Sequence, residues 1–191
     1  SYFGMKNAET LGDYYWDTVA QRNRDANPYR LGFLQLVGVS ATEAEAEEYA
    51  AHVEYFFHNL LYTPSHYMAI PGCIDYRSLV HALKQPLREQ TNLRQLKYKD
   101  FLDRGFVMAG SPSTVRDRLI DGIKRLRIGH LMVLLHFGSM SHELCMKNIE
   151  LFSREVLPAL EGIWDDEWDD RWWPERLKAQ RPAAAMAGAR S

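Results

Sequence analysis

His136 is the residue whose type and setting best suit chemistry. It closes the apolar run His130-Leu131-Met132-Val133-Leu134-Leu135-His136-Phe137, and Gly138-Ser139-Met140 follow it. An imidazole titrates near neutral pH, so it can move a proton or hydrogen-bond a substrate. If the run is a strand, alternation puts His130, Met132, Leu134 and His136 on one face and Leu131, Val133, Leu135 and Phe137 on the other. The wholly apolar set suits packing against helices, which turns His136 the opposite way. The alternative is a histidine satisfied by backbone groups that never touches a ligand. Gly138 either lets a ligand approach the backbone closely or only serves the turn before the next helix.

A second group lies in residues 62–75, with Tyr62, His66, Tyr67, Met68 and Cys73 between the turn sequences Thr63-Pro64-Ser65 and Pro71-Gly72. It reads as a lid that excludes water from a site, or as an irregular surface excursion with its aromatics tucked under it. Cys73 has no nameable histidine partner and is not expected to be a nucleophile. His52, His58, His81 and His142 show no HxxxH or HExxH spacing, so no metal site is assigned. The acidic run 165–170 lacks the glycine and closing glutamate of a calcium loop and reads as a solvated tail. Trp164, Trp168, Trp172 and Trp173 are expected to pack that tail onto the body of the protein.

The elements that must hold these residues alternate. Leu11, Tyr15 and Val19 share one face of a helix over 5–25, which Asn27-Pro28 ends. Residues 31–39 are nearly continuously apolar, the pattern of a strand buried on both faces. Ser40/Glu43 and Thr42/Glu45 offer capping boxes for a helix with Tyr49, Val53, Phe56 and Leu60 on one stripe. Short helical pieces are expected around 76–84 and 88–103. Ser111-Pro112 opens a helix carrying Val115, Leu119, Ile123 and Leu126, which Gly129 stops. The run 130–137 is a second strand, and a helix over 141–160 carries Cys145, Ile149, Phe152, Val156 and Leu160. This order predicts parallel βαβ units. Two strands leave too little buried area for a stable sheet, and the chain opens on Ser1 within sequence that reads as ordered, so a piece of something larger is expected.

Composition excludes several classes. The net charge of −2 argues against a nucleic-acid or anionic-membrane partner. No apolar run approaches the roughly 18 residues of a membrane span. Two cysteines without a CxxC pair fit a reducing, cytoplasmic compartment.

Three segments in this order carry a resemblance: Gly110-Ser111-Pro112-Ser113-Thr114-Val115, His136-Phe137-Gly138-Ser139-Met140, and Leu151-Phe152-Ser153-Arg154-Glu155-Val156-Leu157-Pro158-Ala159-Leu160. They resemble the C-terminal region of the bacterial-luciferase-like flavin-dependent monooxygenases. The earlier run Val37-Gly38-Val39-Ser40-Ala41-Thr42-Glu43-Ala44-Glu45-Ala46 looks like that family's strand seven and the helix after it, and Pro71-Gly72 is also similar. The resemblance covers residues 5–162, and its strength lies in the order of the segments. It implies an α/β, helix-rich chain forming the C-terminal part of a (β/α)8 TIM barrel over residues 1–162, beginning just after strand six and supplying strands seven and eight. Residues 61–105 are then an insertion or lid and 163–191 an acidic, tryptophan-rich tail expected to end in disorder.

The implied activity is oxygenation of a small organic substrate by O2 and reduced FMN, the latter supplied by a flavin reductase. A deazaflavin-coenzyme oxidoreductase of the same superfamily, or a non-catalytic fragment needing a partner, are the alternatives. Barrel sites lie at the C-terminal strand ends. This places His136 at the barrel mouth as the catalytic candidate, Phe137, Gly138 and Ser139 against the cofactor, and Tyr62, His66, Tyr67 and Met68 in the lid. The family's main flavin contacts lie on earlier strands without counterparts here. A homo- or heterodimer is expected of the full-length protein.

Overall fold

Segments that are apolar on both faces can be buried on both faces only within a parallel sheet covered by helices, and this decides the architecture. The computed structural model describes residues 4–22, 24, 26–60, 75–77, 80 and 93–165. Strand β1 (Gly32–Val39) lies in the middle, with β2 (Val107–Gly110) on one edge and β3 (His130–Leu134) on the other, all parallel. The pairing is staggered. β3 pairs with Gly32–Leu36 and β2 with Leu36–Val39, so only the fully buried Leu36 is paired on both sides.

Helix α1 (Gly4–Gln21) precedes the sheet. After β1 come a 3-10 turn (Glu45–Tyr49), α2 (Ala50–Tyr55) and a π turn (Phe56–Leu60). Helix α3 (Tyr98–Asp103) leads into β2, and α4 (Pro112–Leu126) carries the chain to β3. After β3 come α5 (His142–Leu151), a π turn (Phe152–Val156) and α6 (Leu157–Leu160). One sheet face, with Leu36, Val107 and Ala109, packs on Tyr49, Val53, Phe57, Phe101 and Phe137. The rings of Phe57 and Phe101 stack there at 4.4 Å. The other face, with Val37, Val39 and Met108, packs on Val115, Leu119, Phe152 and Val156.

Several expectations are corrected. Among the described residues the sheet has three strands rather than two, because the four residues of β2 are buried yet too few to show a periodicity. Among the described residues the strands stand in the order β2-β1-β3, with β3 on the β1 edge opposite β2. Of the short helical pieces expected around 88–103, the described residues hold a 3-10 turn at Leu93–Gln95 and α3. Ser40 and Glu43 form no capping box. The Ser40 hydroxyl donates to Glu48 instead, while the Thr42 hydroxyl does accept from the Glu45 amide at 3.2 Å. Phe57, not Phe56, is fully buried, since the π turn begins there and shifts the stripe by one residue. Gly129 does not stop α4. Arg127 takes the left-handed conformation at φ 50°, and Gly129 makes room for Tyr29.

Other readings hold. Ser111 caps α4 by accepting from the Thr114 amide at 3.3 Å, with Pro112 in the first turn. Val115, Leu119, Ile123 and Leu126 are all buried. Along α5 it is Asn148, with no exposed surface, that faces inward in place of Ile149, which is 37% exposed. The Asn148 side-chain oxygen accepts from the Val39 amide at 2.8 Å. Its amide nitrogen donates to the carbonyls of Val37 and Leu135, also at 2.8 Å. One side chain thus joins α5, the end of β1 and the segment after β3.

Replacing Asn148→Ala leaves three backbone groups without partners at the sheet. Each costs about 1–3 kcal/mol when buried, so a loss on the order of 3–5 kcal/mol is expected in urea unfolding. A loss below about 1 kcal/mol would contradict this role.

Candidate functional site

In a parallel α/β sheet the C-terminal strand ends form the edge where ligands bind, because the following helices begin there with unpaired amides. Here that edge is made of Val39-Ser40 after β1, Gly110-Ser111 after β2, and 135–141 after β3.

The segment after β3 is held on α2. Phe137 is buried, with its ring 5.9 Å from that of Tyr49, and so anchors the segment. This corrects the alternation that placed Phe137 with Leu131, Val133 and Leu135: β3 ends at Leu134, and beyond it the period of two no longer applies. Gly138 has φ +63° and lies against the backbone carbonyl of His52, where a Cβ has no room. The close approach foreseen at Gly138 is therefore made by α2. The Ser139 hydroxyl is exposed and lies 3.0 Å from His52 Nδ1. His136 is exposed, with Nε2 3.4 Å from the Met140 carbonyl. Three of the four candidates on this segment, His136, Gly138 and Ser139, thus sit together at the strand end. Tyr62, His66, Tyr67 and Met68, as well as Cys73, lie outside the described residues.

Beside them is a charged group that sequence reasoning did not assign. The buried Ser40 hydroxyl donates to Glu48 at 2.6 Å, and Lys147 of α5 reaches Glu48 at 3.3 Å and Glu45 at 3.4 Å. Partial burial works against the charge of Lys147, but Glu48 and Glu45 outweigh it and hold its pKa above the ordinary lysine value. The Tyr49 hydroxyl donates to the Val39 carbonyl at 2.8 Å, and burial pushes its pKa up to about 12. Nothing local marks this cluster in the sequence, since Lys147 and Glu48 are 99 residues apart. His52 likewise gave no signal beyond its lack of metal spacing. Among the described residues no group of three or more His, Cys, Asp or Glu is placed to hold a metal ion, and no helix is long and apolar enough to cross a membrane.

Ser139, His136 and His52 offer hydrogen-bonding groups for the polar edge of a ring or for a substrate. A phosphate needs a cation that is not already engaged, and Lys147 is committed to two carboxylates. The chain was compared with family models and with curated proteins, and none matches it.

After β2, the Glu43 carboxylate accepts from the Ser111 amide at 3.0 Å, at the N-terminus of α4. Hydrogen bonds from the Thr114 and Ser111 side chains, and from that amide, hold its pKa below the usual 4.5. A lowered carboxyl pKa stabilises the fold above the unfolded value, and that contribution is lost as pH falls through the folded one. The urea midpoint is expected to drop between about pH 6 and pH 3, with a shallower drop for Glu43→Gln. Identical slopes would show that Glu43 is not linked to folding.

Proposed function

We propose that this chain is the C-terminal portion of a flavin-dependent monooxygenase with a (β/α)8 barrel, an oxidoreductase that oxygenates a small organic substrate. The reading rests on the resemblance of the three segments quoted above, and one structural observation supports it most. The segment His136–Met140 lies at the C-terminal end of a parallel strand, with Gly138 and Ser139 fixed against His52. That is where a barrel enzyme keeps the groups that meet its ligand. By the resemblance, β1 and β3 correspond to strands seven and eight, and β2 is a further strand between them in the chain.

Reduced FMN, when bound, supplies the oxygen-activating chemistry. This chain contributes the polar rim. Ser139, oriented by His52, is a hydrogen-bonding group for ring or substrate, and His136 is the group that exchanges a proton with the substrate. The phosphate is left to residues upstream.

The sheet edge found among the described residues favours a second reading, in which the chain serves as a non-catalytic companion. β3 stands at its edge with Met132 54% exposed, and such an edge accepts a further strand from a partner.

Two substitutions test the first reading in a protein carrying this chain and its upstream strands. His136→Ala should change turnover or flavin affinity at least several-fold and leave the melting temperature nearly unchanged, because His136 is exposed. Leu135→Ala, in the apolar cluster under α4, should cost about 2 kcal/mol of stability and leave the kinetics alone. Normal catalysis in His136→Ala would remove His136 from the site.

A further inference from the structure

The segment after β3 and helix α2 bring together a hydroxyl and an imidazole that lie 87 residues apart in the chain. The Ser139 hydroxyl oxygen is 3.0 Å from His52 Nδ1. Ser139 is exposed and His52 half-buried, so the hydroxyl is open to solvent while the ring is partly shielded. We propose that this pair is a nucleophile and its general base, and that Ser139 is acylated by small uncharged esters.

A contact between two surface side chains means little when both are free to turn. Here the main chain beneath them is fixed. Gly138, at φ +63°, lies against the His52 carbonyl, where a Cβ has no room. Phe137 is buried in the aromatic cluster beside Tyr49, and the Met140 amide closes the turn on the Phe137 carbonyl at 3.4 Å. Val53, next to His52, is buried in the same cluster. The hydroxyl and the ring therefore meet with little backbone freedom left to lose, which is what positioning a nucleophile against its base requires.

The chemistry balances within this pair. With its own proton on Nε2, His52 accepts the Ser139 hydroxyl hydrogen at Nδ1. As that proton passes to Nδ1, the Ser139 oxygen bonds to the ester carbonyl carbon. The tetrahedral adduct then expels the alcohol, which takes the proton from His52. Water, deprotonated by the same ring, splits the acyl-serine to a carboxylic acid and restores the hydroxyl. The carbonyl oxygen turns negative in the adduct and needs donors. Helix α5 begins at His142, three residues after Ser139, and its first-turn amides have no acceptor within the helix. Lys147 is committed to Glu45 and Glu48, which leaves it unable to select an anionic substrate.

The test uses the full chain without flavin, so it can fail independently of the flavin reading. The chain is incubated with a fluorophosphonate, which loses fluoride to a nucleophilic serine, and the labelled peptide is identified by mass spectrometry. Label on Ser139 is expected, and heat denaturation should abolish it. The labelling rate should fall at least tenfold in His52→Ala. That variant should fold, because Gly138 rests on the His52 main chain; His52→Gln repeats the measurement should it unfold. Ser153→Ala, on the π turn after α5, should label Ser139 as the unaltered chain does. Hydrolysis of p-nitrophenyl acetate should be lost in Ser139→Ala. Absence of label on Ser139, or a rate unchanged by the His52 substitutions, would overturn the proposal.

Discussion

The carboxamide of Asn148 is the contact on which the rest of the arrangement depends. A buried amide with three partners is stable only where all three are supplied, and here they come from Val37, Val39 and Leu135. Meeting that requirement sets α5 against the sheet, fixes the end of β1, and brings the chain leaving β3 back toward β1. The staggered pairing follows the same logic. β3 holds the first half of β1, β2 holds the second, and the segment after β3 is left free to cross toward α2.

That crossing assembles the candidate site. Phe137 sinks into the aromatic cluster, Gly138 rests on the His52 carbonyl, and Ser139 meets the His52 ring. The charged cluster of Ser40, Glu48, Glu45 and Lys147 closes the same edge from the other side of β1. Its charges are paired within the protein, so the groups left for a ligand are hydroxyls and imidazoles. Such a rim suits an uncharged ring or a small polar substrate better than a phosphate.

Much of this was legible in the sequence, for identifiable reasons. Continuous apolar runs marked β1 and β3, and Ser111-Pro112 marked α4, because burial on two faces and an N-cap each constrain residue types locally. β2 was not legible, since four residues hold no period. The shift from Phe56 to Phe57 depends on a π turn that no residue type announces. Asn148 was not singled out in the sequence; its three partners lie on other elements and cannot be inferred from spacing. The pairing of His52 with Ser139, 87 residues apart, has the same cause. His136 and its neighbours were singled out because they follow an apolar run, whereas the contact of Gly138 with His52 emerged only with α2 beside it.

The central claim, that these residues form part of a flavin site, is tested most directly by flavin titration of a protein carrying this chain with its upstream strands. FMN fluorescence should be quenched saturably at one flavin per chain, and Ser139→Ala should weaken that binding at least several-fold. Absence of saturable binding by FMN, and by a deazaflavin coenzyme under the same conditions, would contradict the account.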